Sequence, residues 1–272
     1  MLIANARMYS LNAATREAWR GLLQWVIDRA AVEAEVIDYP APQPLPALWA
    51  RADLGCAFMC GYPLARALPT PTVLAAPRPS PARYGGHAVY RTHLVVRADS
   101  GISRLDQAWG RRMAFTTPDS MSGYQAPRRF FAPYAQAAAA RGGTLFSATV
   151  GPLLTPRGVV DALLAGDADL GPLDSYAYDL LALHEPELTA RLAVIATTPA
   201  APIPALVGAA TLEPAVAARL TQALLDVEAA PTMAPQRAAL LLHGFARISA
   251  AAYHANIAAA EEADALGYPQ LA

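Results

Sequence analysis

The chain has 272 residues, a formal net charge of -1, 54% hydrophobic residues and 16% charged residues. That length suits two lobes of ordinary domain size, whose cores need no metal or disulfide. The near-neutral balance excludes a disordered chain and any role driven by bulk attraction to nucleic acid or to a membrane surface.

All 21 basic residues are Arg, which removes Schiff-base chemistry and the lysine of a phosphate-binding P-loop. No apolar run reaches the roughly 20 residues of a membrane span, so no direct membrane insertion is expected. The start, Met1 to Arg7, lacks a basic segment followed by a long apolar one and reads as a first strand, not a secretory signal. Two localisations follow: periplasmic if a leader has been removed, cytoplasmic if Met1 is the native start.

Leu2 to Tyr9 reads as a short buried strand. Leu11 and Asn12 open an amphipathic helix whose apolar stripe runs through Trp19, Leu22, Leu23, Val26 and Ile27. Glu33 to Tyr39 alternates as a strand, and the proline-rich loop 40–46 ends it. A third strand, Leu54 to Met59, runs into Gly61, Tyr62 and Pro63. Arg83 to Arg97 reads as one long extended segment. The strand–helix rhythm then restarts with Arg112 to Thr116, a helix from Gly123 to Ala140, and a strand from Thr144 to Val150. A helix over Pro156 to Ala165, a strand over Ala168 to Gly171, a helix from Asp174 to His184 and a strand over Leu192 to Thr197 follow. Ile203 to Ala209 is a second extended segment, and from Pro214 the chain reads as helical.

This rhythm predicts an α/β fold of two lobes with mixed, mostly parallel sheets, joined by a two-strand hinge at the extended crossings. Lobe 1 is expected over 1–88 and 205–272, and lobe 2 over 89–204. Closure of such lobes about a ligand in the cleft is a standard use of the architecture.

Few residues carry chemistry. Cys56 and Cys60 lie too close along one strand for an easy bridge. The histidines at 87, 93, 184, 243 and 254 show no ligand spacing, so no metal is expected, and nothing implies a cofactor. The strongest signal is Thr116 to Tyr124, where a strand ends and a helix begins. Ser120, Ser122 and the N–H of Gly123 would face one spot at the positive end of that helix, where an anion can bind; equally, a serine there simply caps the helix. The stretch Asp169 to Tyr178 repeats the pattern, with Asp174 at the cap position and Tyr176 in the first turn. Tyr9, Tyr62 and Tyr90 stand at strand ends, either as cleft-wall phenols or as ordinary core and surface tyrosines. No nucleophile elbow or dinucleotide fingerprint is present, so the chain is not expected to be an enzyme.

Three stretches resemble the phosphonate- and phosphite-binding proteins of ABC importers, the PhnD-like branch of type 2 periplasmic binding proteins. They are Tyr90 to Asp106, the turn Ser120-Met-Ser-Gly123, and Val159 to Ser175. The resemblance spans roughly residues 1–210. It implies that Ser120, Ser122 and Gly123 hold anionic oxygens, that Asp174 faces the other end of the ligand, and that Tyr62 and Tyr90 line the cleft. Where that family often carries a histidine, this chain reads Gly151 to Arg157, and Thr155 or Arg157 would substitute. The implied function is a solute-binding protein that closes around a small phosphonate-, phosphite- or phosphate-like anion for an ABC permease. The alternatives are a binder of a thiamine-type pyrimidine or other small heterocycle, and a cytoplasmic sensor or accessory protein on the same fold. A pyrimidine synthase of thiamine biosynthesis would need an active-site lysine, and a DNA-binding regulator an additional helix-turn-helix domain that no residues are left to build.

Overall fold

The computed structural model describes residues 1–272. Its strands are β1 (Leu2–Asn5), β2 (Ala34–Val36), β3 (Leu54–Met59), β4 (Thr72–Pro79), β5 (Val89–Tyr90), β6 (Thr92–Arg97), β7 (Arg112–Ala114), β8 (Ala148–Val150), β9 (Gly171–Asp174), β10 (Leu192–Thr197), β11 (Ala201–Pro202), β12 (Ala205–Gly208) and β13 (Leu242–Ala246). Its helices are α1 (Ala13–Ala30), α2 (Leu45–Trp49), α3 (Gly61–Arg66), α4 (Ala126–Ala139), α5 (Pro156–Ala165), α6 (Ser175–His184), α7 (Pro186–Thr189), α8 (Pro214–Asp226), α9 (Ala234–Ala239) and α10 (His254–Ala265). The chain forms two compact units, Met1–Val89 with Pro202–Tyr253, and Tyr90–Ala201 with His254–Ala272.

The first unit is built on a six-stranded sheet in the order β13-β4-β12-β3-β1-β2. Asn12 starts α1 with a capping box: its side chain accepts from the Thr15 amide, and the Thr15 hydroxyl accepts from the Asn12 amide. The stripe Trp19, Leu22, Leu23, Val26 and Ile27 is buried, and Phe58 of β3 meets the rings of Trp19 and Tyr9 edge-on, each at 5.0 Å. Trp49 donates its indole N–H to the Phe58 carbonyl at 2.9 Å, tying α2 to the same strand.

The second unit contains a three-stranded sheet, β10-β6-β9, and the parallel pair β7-β8. Its core gathers Leu94, Val96, Met113, Phe131, Phe146 and Leu170 with Ala263, Tyr268 and Leu271 of the C-terminal segment.

Four features depart from the sequence reading. Parallel pairing joins β2-β1-β3 and β7-β8, with one isolated parallel bridge between Met113 and Leu170, whereas β12 pairs antiparallel with β3 and β4, β13 with β4, and β6 with β9 and β10. The sheets are therefore mixed without being mostly parallel: in the first unit the returning strands β12 and β13 run opposite to their neighbours, and in the second unit β6 runs opposite to both β9 and β10. Second, β4 forms where no strand is expected, and β13 lies in the stretch that reads as helical from Pro214. Pro77 and Pro79 sit in β4 opposite Phe245 and Leu242, and burial of the strand outweighs the weak strand tendency of proline. Third, the long segment 83–97 is broken by a 3-10 turn, Ala82–Tyr84, and by Gly85 and Gly86 at positive φ before β5 and β6. Fourth, residues 254–272 group with the second unit, not with the first lobe. The chain thus passes between the units after Val89, after Ala201 and again after Tyr253.

Candidate functional site

The second unit brings three helix N-termini to one set of strand ends. β7 continues through Phe115 to Thr116, whose carbonyl accepts from Leu154 at 3.1 Å. The Thr116 amide donates to the Gly123 carbonyl at 3.3 Å. The Thr92 hydroxyl donates to the Ser122 carbonyl at 3.1 Å, and Thr92 lies opposite Asp174 in the β6-β9 ladder. The Arg91 amide donates to the Ser175 hydroxyl at 3.0 Å. The starts of the helix at Met121, of α5 and of α6 therefore share the ends of β6, β7 and β9, the edge of an α/β sheet where ligands usually bind.

Each start has its own cap. Ser120 Oγ accepts from the Gly123 amide at 3.0 Å, Thr155 Oγ1 from the Gly158 amide at 3.0 Å, and the Asp174 carboxylate from the Tyr176 and Ala177 amides at 2.8 and 3.1 Å. The amide of Gly123 is thus engaged by Ser120, which fills the capping role, as Thr155 and Asp174 do for their helices. The helix opens with a π-turn, Met121–Gln125, running straight into α4; such wide turns recur at functional sites.

Two hydroxyls near this helix start are uncommitted. Ser122 is half-buried, and its hydroxyl engages no partner within the chain. Thr116, 7% exposed, has a buried hydroxyl without a hydrogen-bond partner. A buried hydroxyl left unsatisfied costs about 1–3 kcal/mol. Sequence reading passed over Thr116. The available signal was its position, at the end of the strand read over Arg112 to Thr116 and seven residues before the glycine of the turn.

Other expected site residues have different surroundings. Arg157 loses by burial, but its bonds to Glu185 at 2.7 Å and Asp161 at 3.1 Å outweigh that and hold its pKa above the ordinary value. Its charge is spent on these two carboxylates, so the cationic substitute expected there is neutralised. Tyr176 is 0% exposed and Tyr90 1%. In the first unit, Tyr9 is 1% exposed and packs its ring edge-on against Phe58, the core placement among the readings open to it. Tyr62, in the first turn of α3, is half-buried; Arg66 stacks over its ring at 5.3 Å and donates to its phenol oxygen at 3.2 Å. Cys56 and Cys60 are buried and form no disulfide. No cluster of His, Cys, Asp and Glu is placed to hold a metal ion, and no helix is long and apolar enough to cross a membrane.

The family model for the ABC-transporter phosphonate periplasmic substrate-binding protein matches residues 50–253. No curated protein matches the chain in sequence. Among solved structures, PhnD1 from Prochlorococcus marinus in complex with methylphosphonate aligns with a TM-score of 0.77 and 16% identity, covering 97% of this chain and 98% of that one. A binding-protein component of an ABC phosphonate transporter from Pseudomonas aeruginosa aligns at 0.72 and 17%, covering 98% and 97%. XAC2383 from Xanthomonas citri bound to ATP aligns at 0.66 and 18%, covering 98% of each. These likenesses establish the two-lobed periplasmic-binding-protein fold.

Proposed function

The chain belongs to the phosphonate periplasmic substrate-binding proteins of ABC transporters, and we propose that it binds a small phosphonate-like oxyanion at the turn Thr116–Gly123 and presents it unchanged to a permease. The family is one of transport receptors and not of enzymes. The observation that carries the site is the orphaned, buried hydroxyl of Thr116 beside the open hydroxyl of Ser122 at a helix N-terminus. Two hydroxyls and the positive end of a helix favour an anion without any cation, and a hydroxyl both donates to P–O⁻ and accepts from P–OH. Arg157 has no part in this reading, and Asp174 acts through the shape of the α6 start.

The test is a thermal-shift and calorimetric screen of methylphosphonate, phosphite, phosphate, alkylsulfonates and thiamine precursors. A ligand at 100 times its Kd adds about 2.7 kcal/mol of stability. An oxyanion that raises the Tm of the wild type, but neither Thr116→Val nor Ser122→Ala, is the expected result. A shift with heterocycles alone overturns the anion reading. An oxyanion shift that survives both substitutions moves the site elsewhere.

A further inference from the structure

We infer that Gln125 and Arg128 are positioning residues that hold the ligand turn in place from behind, anchored on the C-terminal segment; this rests on the reading of Thr116–Gly123 as the ligand site. The stretch Thr117–Ser120 belongs to no helix or strand. It is held by Gln125, which is 6% exposed: its side-chain Nε2 donates to the Pro118 carbonyl at 2.6 Å and its amide to the Ser120 carbonyl at 3.0 Å.

An amide side chain can be turned over, exchanging donor for acceptor, and Arg128 decides which way this one faces. The Arg128 Nε–H donates to Gln125 Oε1 at 3.0 Å. A guanidinium has no acceptor, so the atom facing it must be the amide oxygen, and the NH₂ group is left to face Pro118. Arg128 is itself fixed. It is 3% exposed, pairs with the carboxylate of Asp264, and donates to the carbonyls of Ala260 at 2.8 Å, Tyr268 at 3.2 Å and Pro269 at 3.0 Å. Tyr124, next to Gln125, accepts from the Leu271 amide at 3.3 Å through its phenol oxygen. The end of α10 and the residues after it thus grip one guanidinium, which orients one amide, which tethers the ligand turn.

Arg129 supplies the control. It also joins α4 to α10, through Glu262 at 2.6 Å on the surface, but no bond of Arg129 reaches Gln125. The experiment measures methylphosphonate binding by calorimetry, and hydrogen exchange of residues 116–123 in the ligand-free full chain, for Gln125→Met, Arg128→Lys and Arg129→Ala. Gln125→Met and Arg128→Lys are expected to speed exchange across the turn and weaken binding roughly tenfold or more. Arg129→Ala should stay within about twofold of wild type on both readouts. Unchanged exchange in Gln125→Met overturns the inference, as does faster exchange with unchanged affinity. If the wild type binds no methylphosphonate, the functional reading falls, and the exchange data still decide whether the tether exists.

Discussion

A Cβ built on Gly123 would lie 1.8 Å from the hydroxyl oxygen of Thr116 and 2.9 Å from its Cβ. The strand end and the helix start are in direct contact there, and only a glycine permits it. Gly123→Ala must push the two apart. The expected loss is about 1–3 kcal/mol of stability, as for other overpacked sites, together with loss of oxyanion binding. Urea unfolding and calorimetry on the same preparation measure both.

Thr116→Val separates stability from function. Removing an unsatisfied buried hydroxyl is expected to leave stability unchanged or to raise it by about 1 kcal/mol, while oxyanion affinity falls. A variant that loses stability and keeps its affinity would show that the hydroxyl serves the fold.

Arg157 makes the opposite prediction. Its guanidinium is shared between Asp161 and Glu185, so Arg157→Ala should change oxyanion affinity by less than about threefold, with a stability loss of about 0.5–1 kcal/mol. Calorimetry against wild type is sufficient, and a large affinity loss would return Arg157 to the site.

Asp169 carries a pH dependence. Hydrogen bonds from Arg112, to both carboxylate oxygens at 3.0 Å, hold its carboxyl below the ordinary carboxylate range. Because the folded pKa is depressed, the stabilisation is present above the unfolded value of about 3.9 and is lost as pH falls through the lower folded value. Asp169→Asn should therefore cost about 1 kcal/mol near neutral pH, the modest figure reflecting a partly exposed pair. The gap to wild type should close in acid. Urea midpoints at neutral and strongly acid pH decide it, since a constant gap would mean that the pair's charge contributes nothing.

Cys56 makes a chemical prediction. Burial pushes its thiol up to about 12, so almost no thiolate exists at pH 8. Native protein should react with a thiol reagent far more slowly than unfolded protein, in which both cysteines become accessible. Fast labelling of the native chain would show that β3 opens readily.

Much of the architecture follows from local pattern. The stripe of α1, the Asn12 cap, the boundaries of β3, α5 and α6, and the Ser120 turn are all set by residues within a few positions of one another, which is why periodicity and capping chemistry expose them.

What local pattern does not carry is which distant segment completes an element. Whether Pro77 and Pro79 form a strand depends on β12 and β13, more than a hundred residues away. The place of 254–272 depends on Arg128, whose guanidinium finds its acceptors only once α10 lies against α4. The orphaned state of Thr116 and the neutralised state of Arg157 likewise exist only in three dimensions, because hydrogen-bond satisfaction is a property of surroundings and not of residue type. The sequence by itself determined the elements and caps that rest on neighbouring residues; the tertiary structure decided strands such as β4 and β13, strand direction, the anchoring of the C-terminal segment and which polar groups remain unpaired.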